Sequence, residues 1–255
     1  MRGTERQDAI VNLINEHGFL SVEFLAQHFT VTPQTIRRDI NALDDQGRVL
    51  RHHGGAAANG NSTSNLAYAE RKIKLLAEKQ RIANAIAQRI SDHSSLFINI
   101  GTTTETIAHA LLEKRGLTVI TNNLHVASIL TAREDFQVML AGGQVRNRDG
   151  GIIGDATVDF VSQFKVDVGI IGISGIDADG ELLDFDPQEV KVAQAIIRHS
   201  RQVFLAADHS KFGRHALHRM GHLSQASHLF TDRQPTAHFC DILDSHDVRL
   251  VVPEH

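Results

Sequence analysis

The sequence predicts an α/β protein, with an N-terminal winged helix-turn-helix joined to a larger domain built on a parallel sheet. Residues 1–58 contain three short helical patterns followed by a strand and a glycine turn. The rest of the chain alternates strands of four to eight residues with helices, which is typical of βαβ units. Between them, residues 59–65 are small and polar and have no apolar period. We therefore expect domains at 1–58 and 69–255, joined by a linker at 59–68.

Composition narrows the class of protein. The chain has 255 residues, of which 42% are hydrophobic and 22% charged, as in folded globular proteins. The single cysteine, Cys240, excludes a disulfide framework and a cysteine-rich zinc module. No apolar run approaches the ~18 residues of a membrane span, and the first residues are too polar for a signal peptide. We expect a cytoplasmic protein that makes no membrane contact.

The first domain is predicted from its caps. A helix over 6–16 ends at His17-Gly18, and Ser21 is placed to cap a second helix. Thr32 is placed to cap a third helix. Pro33 follows at the first helical position, which suits proline because the N–H that it lacks would have no helical partner there. A short strand then leads into the glycine turn at Gly54-Gly55.

The second domain is predicted from alternation. Its strands are expected at 96–100, 117–120, 138–141, 166–173, 202–207, 229–230 and 248–252. Its helices are expected at 105–114, 124–131, 156–164, 187–200 and near 237–244. Residues 69–90 have the pattern of an amphipathic helix that packs on this sheet.

The third helix has the pattern of a DNA-recognition helix. At 100° per residue Ile36, Ile40 and Leu43 share an apolar face, so the polar side chains project from the other side. Arginine pairs with guanine edges, and glutamine or asparagine pairs with adenine edges. The contacts we expect in the major groove come from Gln34, Thr35, Arg37, Arg38 and Asn41. The alternative is an ordinary solvated helix face.

The strand and glycine turn after this helix form the predicted wing. Arginine beside a glycine turn can bind phosphate or enter a narrow minor groove. The expected contacts are Arg48, Arg51, His52 and His53. Adjacent histidines on a strand point in opposite directions, so they do not form a metal site together. Residues 1–58 carry six arginines and seven acids, which argues against purely non-specific DNA binding.

A strand-to-helix turn in the larger domain has the character of a phosphate site. Gly101 and three threonines, Thr102, Thr103 and Thr104, stand where free backbone N–H groups meet a positive helix end. An ordinary capped helix start is the alternative. Ligands of open α/β sheets bind outside the carboxyl ends of the strands. Polar residues at other strand ends complete the predicted site: Asn122, Asn123, Gly142, Gly143, Ser174, Asp177 and Lys211.

These residue types fit a small phosphorylated polyol, with Lys211 on the phosphate and with Asp177 and the amides on the hydroxyls. Catalysis is the competing use, because Asp177, Asp179, Asp184, Asp186 and Glu189 offer carboxylates for proton transfer. The segment 177–180 also has ordinary turn composition. We expect no catalytic residues and no cofactor.

Two further clusters are predicted to be structural. Cys240 lies on a helix with Phe239 and Leu243, which suggests packing. A row of metal ligands on one helical face could be formed by His215, His218 and His222. However, Gly221 interrupts such a helix, and no carboxylate lies in register with the histidines. We expect no metal site.

Two motifs resemble the signature of DeoR-type bacterial repressors: Thr-Pro-Gln-Thr-Ile-Arg-Arg-Asp at 32–39 and Leu-Arg-His-His-Gly-Gly-Ala at 50–56. The larger domain resembles the family's sensor domain at 140–143, 148–154, 172–177 and 208–214, so the resemblance covers essentially the whole chain. It implies a fold shared with ribose-phosphate isomerase and the CoA transferases. It also implies a phosphate site at Gly101–Thr104 with Lys211 as its cation.

Within that family, the chain is most similar to regulators of glycerol use. The resemblance implies a non-enzymatic repressor on operators of glycerol-utilisation genes, with sn-glycerol 3-phosphate as the inducer. Paired half-sites imply a homodimer or homotetramer on double-stranded DNA. Relatives commonly have aspartate where this chain has Asn99, and the glycine-rich lysine loop of the isomerases is missing. There are two alternative functions. One is a repressor that responds to a different sugar phosphate, and the other is a sugar-phosphate isomerase.

Overall fold

The computed structural model describes residues 3–17, 19–52, 54–58, 68 and 70–253. The chain forms two compact units, Met1–Lys74 and Leu75–His255. Most of the predicted linker, residues 59–67, lies outside the described residues.

The first unit consists of three helices and a small antiparallel sheet. Its elements are α1 (Gly3–His17), β1 (Phe19–Ser21), α2 (Val22–Phe29), α3 (Pro33–Asp45), β2 (Val49–His52) and β3 (Gly55–Ala58). The strand order is β1-β3-β2. Both predicted caps are confirmed, because Ser21 Oγ accepts from Phe24 N (3.1 Å) and Thr32 Oγ1 accepts from Thr35 N (3.3 Å). β1 was not predicted, since three residues are too few to show alternation.

The core of this unit confirms the predicted face of α3. Ile36, Ile40 and Leu43 are buried together with Ile10 of α1 and Leu25 of α2. The polar side of α3 therefore points away from the core.

The second unit is a larger α/β fold. Its elements are α4 (Leu76–Arg89), β4 (Ser95–Ile98), α5 (Thr102–Leu111), β5 (Thr118–Thr121), α6 (Leu124–Leu130), β6 (Gln137–Leu140), β7 (Gln144–Arg146), β8 (Gly151–Ile153), α7 (Asp155–Val161), β9 (Val166–Gly172), β10 (Gly175–Ile176), β11 (Glu181–Asp184), α8 (Pro187–Arg198), β12 (Ser200–Ala206), β13 (His218–His222), β14 (His228–Phe230), α9 (Ala237–Ser245) and β15 (Arg249–Val251).

Within the described residues, the main sheet has seven parallel strands in the order β15-β14-β12-β9-β4-β5-β6. The chain starts at β4 in the middle, runs outward to β6, and then returns to β9 and runs outward on the other side. The strand order therefore reverses between β4 and β9. The predicted parallel sheet is confirmed.

Helices cover both faces of the sheet. Ile98 of β4 packs with Ile82 of α4 and Ile107 of α5 on one face. Phe97, the preceding strand residue, packs with Ile196 of α8 on the other face. Alternate residues of a strand are thus buried in two different cores, so the strands are apolar along their whole length. No helix in the described ranges is long and apolar enough to cross a membrane.

One predicted helix was wrong in part, and one helical face that the sequence left open is absent. The helix expected over 69–90 is broken, because Leu75 takes a left-handed conformation (φ 54°) between residues 70–73 and α4. The helical face that His215, His218 and His222 could have shared does not exist, because His218 and His222 lie on β13, a strand paired antiparallel with β11. That pairing excludes a row of the three histidines on one helical face.

Candidate functional site

The reversal of strand order marks a crevice outside the carboxyl ends of β4 and β9, the usual ligand position in such sheets. Gly101 follows β4 with φ 150°, and α5 begins at Thr102 rather than at the predicted 105. The end of β9 lies against this loop, since a Cβ added to Gly172 would be 3.9 Å from the Ile100 carbonyl oxygen. The three threonines therefore form the first turn of α5 beside the crevice.

The first turn of α5 contains the backbone amides that precede the first hydrogen bond of the helix. The first helical hydrogen bond runs from Glu105 N to the Gly101 carbonyl oxygen (3.0 Å). The preceding amides of Thr102, Thr103 and Thr104 consequently have no acceptor within the helix. Such a turn attracts anions, because the positive end of the helix dipole adds to the free N–H groups.

The three threonine hydroxyls have different roles. Thr104 Oγ1 donates to the carbonyl oxygens of Asn99 and Gly101, at 2.7 Å each, and so fixes the loop. Thr102 Oγ1 accepts from Lys79 Nζ (3.0 Å). Thr103 is buried, and its hydroxyl makes no hydrogen bond among the described residues. Thr103 is thus the threonine whose hydroxyl is best placed to serve a ligand.

Lys79 was missed in the sequence analysis. It lies on α4 with an exposed fraction of 4%, and it shares the apolar face of that helix with Ile82, Ala83 and Ile86. The signal was present, because positions 79, 82, 83 and 86 follow the i, i+3, i+4, i+7 spacing of a buried stripe. A lysine on such a stripe indicates a buried cation.

Unpaired polar atoms are concentrated at the ends of β4 and β5. Asn99 Oδ1 and Asn122 Oδ1 are buried and have no hydrogen-bond partner among the described residues. The two residues are neighbours, since each follows directly after the paired residues Ile98 and Thr121. Asn123 caps α6 through Oδ1, which accepts from His125 N (2.9 Å) and Val126 N (3.3 Å). Buried acceptors without donors are rare, so a bound hydroxyl or water is the expected partner of these oxygens.

The β7–β8 hairpin, which was not predicted, lies over these strand ends. Asn122 exchanges hydrogen bonds with Ile152 through its backbone oxygen (2.7 Å) and its side-chain amide (3.1 Å). Gly143 precedes the hairpin with φ 149°, and a Cβ there would be 2.8 Å from the Ile153 carbonyl oxygen. The adjacent Gly142 accepts from Thr157 Oγ1 (2.9 Å). The predicted residues Gly142 and Gly143 therefore position the hairpin.

An ionic cluster joins this hairpin to the start of α8. Arg146 of β7 donates to Asp149 (2.7 Å), Asp186 (2.5 Å) and Glu189 (2.7 Å). Burial, together with the nearby charge of Asp184, raises the pKa of the Glu189 carboxyl to about 7, although the charge and hydrogen bond of Arg146 act to lower it. Burial also acts to raise the pKa of Asp186, but the Gln188 amide and Arg146 hold that pKa below its ordinary value. Two carboxylates of the predicted catalytic stretch, Asp186 and Glu189, thus bind Arg146.

The remaining predicted residues are spread over other strand ends. Ser174 follows β9, and Lys211 is half-buried in a short 3-10 turn after β12. Asp177 lies in the turn between β10 and β11, where its carboxylate accepts from Ala178 N (2.8 Å). The composition of residues 177–180 indicated an ordinary turn as the alternative to a binding site, and Asp177 does lie in a turn. His215 Nδ1 lies 3.4 Å from the Asp177 carboxylate.

A buried acid lies beside the Lys211 turn and was also missed. Asp232 accepts from the backbone N (2.6 Å) and ring Nδ1 (2.7 Å) of His209. Burial acts to raise the pKa of Asp232, but these hydrogen bonds outweigh it and keep the pKa below its ordinary value. The pair fixes the turn that carries Lys211.

In the first unit, the predicted recognition face is solvent-exposed. Gln34, Arg37, Arg38 and Asn41 are exposed, while Thr35 is half-buried and its hydroxyl lies 2.9 Å from that of Thr32. These four side chains can reach a groove without moving the core.

Ion pairs hold this face and the wing. Buried Asp39 accepts from Arg6 Nε (2.6 Å) and Gln7 Nε2 (3.2 Å), which ties α3 to α1. In the wing, Arg48 donates to Asp8 (2.8 Å), and Arg51 is exposed. The side chain of His52, and all of His53, lie outside the described residues.

A search of the described ranges finds no group of three or more histidine, cysteine, aspartate and glutamate residues that could hold a metal ion. The polar groups described at the crevice include backbone amides, threonine hydroxyls, the carboxamides of Asn99 and Asn122, and the buried ammonium of Lys79.

Comparison with known families agrees with both units. A model of the DeoR-like helix-turn-helix domain matches residues 6–62, and a model of the DeoR C-terminal sensor domain matches residues 74–233. Among solved structures, ribose 5-phosphate isomerase A from Methanocaldococcus jannaschii matches 55% of this chain and 55% of its own, with a TM-score of 0.40 and 11% identity.

Curated relatives match nearly the whole chain. The Glycerol-3-phosphate regulon repressor of Escherichia coli (strain K12) is 50% identical over 98% of this chain and 99% of its own length. The repressor of the same name from Haemophilus influenzae is 49% identical over 92% of this chain and 91% of its own. The E. coli repressor CsqR is 39% identical over 100% of this chain and 97% of its own. These relatives are regulators rather than enzymes, and this chain belongs to the DeoR family of helix-turn-helix transcriptional repressors.

Proposed function

We propose that the protein represses genes for glycerol use and that sn-glycerol 3-phosphate releases it from its operator. We choose the glycerol genes because this chain is 50% identical, over almost its full length, to a repressor named for glycerol 3-phosphate. The exposed polar side of α3 and the polar crevice at the ends of β4 and β9 supply the two binding surfaces that such a repressor needs.

The DNA contacts follow from the first unit. Gln34, Arg37, Arg38 and Asn41 enter the major groove, with Thr35 at the margin because its hydroxyl is shared with the helix cap. Arg48, Arg51 and the wing histidines His52 and His53 bind phosphates, which fixes the position of α3 on the duplex. Asp39 does not repel the DNA, because Arg6 neutralises it inside the unit.

The effector contacts follow from the crevice. The phosphate binds the backbone amides in the first turn of α5 and the Thr103 hydroxyl, with Lys211 as a charged partner. The unpaired oxygens of Asn99 and Asn122 accept from the hydroxyls of the glycerol moiety. Asp177 is bonded within its own turn, so the hydroxyl contacts are assigned to the two asparagines.

Release requires that the effector bind one state of the repressor more tightly than the other. Coupling of this kind is typically ~1–3 kcal/mol between two sites. Operators with paired half-sites require paired recognition helices, so the functional protein is a homodimer or homotetramer.

The test is calorimetric titration of the full-length protein with sn-glycerol 3-phosphate, glycerol and fructose 1-phosphate. We expect binding of sn-glycerol 3-phosphate alone, with affinity reduced about tenfold or more in Thr103→Val and Lys211→Ala, since each loses one hydrogen bond to a charged group. Lys191→Ala, which removes an exposed surface ion pair with Asp155, is the matched control. Tighter binding of fructose 1-phosphate would replace the effector, and no binding of either phosphate would refute the site.

A further inference from the structure

The exposed side of α4 carries no charge along most of its length. Between residues 76 and 88 the exposed positions are Leu76, Ala77, Gln80, Asn84 and Gln88. Positions 77, 80, 84 and 88 recur every three or four residues, so they form one stripe along the helix. Leu76, which is 52% exposed, lies at the N-terminal end of this stripe. We call these five residues the α4 stripe.

Other helices of the larger unit expose charged residues. Lys191 and Arg198 are exposed on α8, and Asp241 and Asp244 are exposed on α9. Charged residues are usual on a solvated helix face, whereas they are depleted at the centre of protein–protein interfaces. The α4 stripe therefore has the composition of a contact surface rather than that of a solvated face.

The charged residues of α4 lie outside the stripe. Lys79 is buried, and Glu78 and Arg81 are half-buried. Arg89 is exposed on another side of the helix, where its guanidinium lies 5.6 Å from the centre of the Phe230 ring. A partner that covers the stripe therefore does not have to bury an exposed charge, which would be costly.

The two amides at the middle of the stripe are self-complementary. Gln80 Nε2 donates to Asn84 Oδ1 (3.0 Å). In the described part of the chain, no further hydrogen bond engages Gln80 Oε1, an acceptor, or Asn84 Nδ2, a donor. A second copy of the helix, related by a two-fold axis, offers the same donor and the same acceptor in the opposite direction. A partner of identical sequence therefore satisfies both amides at once.

We propose that two copies of this chain associate through the α4 stripe, with their α4 helices antiparallel about a two-fold axis. Asn84 Nδ2 donates to Oε1 of the partner's Gln80, and the partner's Asn84 donates in return. In this register Leu76 packs on the partner's Gln88, and the small side chain of Ala77 lets the two helices approach to ~8–10 Å. The inference rests on the proposed oligomeric repressor and names the surface that joins its copies.

The place of α4 in the chain suits such a contact. α4 begins at Leu76, just after Lys74 ends the first unit. The proposed two-fold axis passes near position 82, so the two helix starts lie ~18 Å apart along the helices at 1.5 Å per residue. Recognition helices on neighbouring half-sites are ~34 Å apart. The two chains therefore leave the paired helices close enough together to serve paired half-sites.

Analytical ultracentrifugation of the full-length protein without DNA tests the surface. One helix pair buries less than the ~1,600 Å² of a standard interface, so the measurement extends to high micromolar concentrations. Gln80→Lys/Asn84→Lys places lysine opposite lysine and removes the hydrogen bonds, so self-association should weaken at least about tenfold. A wild-type tetramer should be reduced to a dimer by the same change.

The control is Gln163→Lys/Gln188→Lys, which adds the same charge at two exposed glutamines outside α4. It should associate as the wild type does. Unchanged association of Gln80→Lys/Asn84→Lys, or a wild type that stays monomeric at high micromolar concentrations, would overturn the proposal.

A charge-exchange experiment tests whether the two stripes face each other. Gln80→Glu/Asn84→Glu should also fail to associate with itself. Mixed in equal amounts, the lysine and glutamate variants should form heterodimers, because every lysine then faces a glutamate of the partner. A mixture that remains dissociated would show that these positions do not meet across a two-fold axis.

Operator binding separates this inference from the proposed function. Fluorescence anisotropy compares DNA that carries paired half-sites with DNA that carries one. If the wild type does not bind operator DNA, the proposed function fails, and the ultracentrifugation still decides whether the stripe is an interface. If it binds, Gln80→Lys/Asn84→Lys should lose at least about tenfold on paired half-sites relative to the control variant and be unchanged on one half-site. Equal losses on both DNAs would contradict a role of the stripe in pairing the copies.

Discussion

At the scale of single residues, several ionisable side chains are buried or half-buried beside specific partners. Asp39 accepts from Arg6 and Gln7, Glu189 accepts from Arg146, and Lys79 donates to Thr102. Burying a charge costs several kcal/mol unless polar groups compensate for the lost water. Removing the partner of one of these side chains is therefore expected to destabilise the fold.

Glu189 makes the stability of the larger unit depend on pH. Its pKa is raised from 4.5 to about 7, so between these values the folded state holds a proton that the unfolded chain has lost. The stabilisation from this group is complete below about 4.5 and is lost as the pH rises through about 7. Glu189→Gln should remove this loss. Relative to wild type, the variant should gain on the order of 2–3 kcal/mol in unfolding free energy between about pH 5 and about pH 8.

Urea unfolding of both proteins at the two pH values measures this difference. The control is Glu134→Gln, which changes an exposed glutamate. Its unfolding free energy should differ from that of the wild type by the same amount at both pH values. If Glu189→Gln also showed one constant difference, Glu189 would not titrate in this range.

Arg38 and Arg48 are expected to differ in what they recognise. Arg38 is exposed on α3, while Arg48 lies at the start of the wing and pairs with Asp8. Arg38→Ala should cost ~1–3 kcal/mol on operator DNA and much less on random DNA, because a base contact is lost. Arg48→Ala should weaken binding to both DNAs by a similar factor and reduce the salt dependence, because a phosphate contact is lost.

Anisotropy titrations of the two variants on both DNAs, at several salt concentrations, make this comparison. Equal losses on operator and random DNA for Arg38→Ala would assign Arg38 to the phosphate backbone instead.

The sequence was enough to place the residues that lie on regular patterns. The period of α3 separated Ile36, Ile40 and Leu43 from the exposed side, and the position of Gly101 after a strand located the α5 turn. The individual roles within that turn were not predictable, because they depend on partners distant in sequence. Thr102 is bonded to Lys79, 23 positions earlier, and Asn122 to Ile152, 30 positions later.

At the scale of elements, the β7–β8 hairpin lies beside the crevice, against the end of β5 and the loop that follows β4. It is joined to β5 through Asn122 and to α8 through Arg146. It begins at Gly143, whose φ of 149° and contact with Ile153 leave no space for a side chain. The geometry of the whole hairpin thus depends on one glycine.

Gly143→Ala should therefore destabilise the larger unit by ~1–3 kcal/mol and weaken effector binding, because the Cβ collides with backbone. Gly142→Ala is a closely matched control, since a Cβ there meets nothing within 4 Å and the residue has no left-handed φ. Thermal unfolding and calorimetric titration of both variants test this. Equal stability of the two variants would contradict the role given to Gly143.

Regular elements were predicted better than short ones, for a physical reason. The strands of the main sheet bury side chains on both faces, so each is a continuous apolar run in the sequence. β1, β7 and β10 have two or three residues each and are held by neighbours rather than by their own pattern. The break at Leu75 was hidden for a related reason, because leucine is a strong helix former whose left-handed conformation is imposed by the fold.

At the scale of the whole molecule, the described residues form separate cores for the two units, one around Ile36 and Ile40 and the others on the two faces of the parallel sheet. Each unit therefore has the apolar packing to fold around its own site. The larger unit supplies the crevice that we propose binds the phosphate of the effector, and the smaller one supplies an exposed polar helix. Control of one by the other is the property that makes such a molecule a regulator.

The most direct test of this account is fluorescence anisotropy of labelled DNA from upstream of a glycerol-utilisation gene in the source genome. The protein is titrated onto this DNA at fixed salt, with random DNA of the same length as the control. Sn-glycerol 3-phosphate is then added, with glycerol and fructose 1-phosphate in parallel. The account predicts binding much tighter than on random DNA, and release by sn-glycerol 3-phosphate alone. Binding no tighter than on random DNA, or a complex that sn-glycerol 3-phosphate leaves intact, would contradict it.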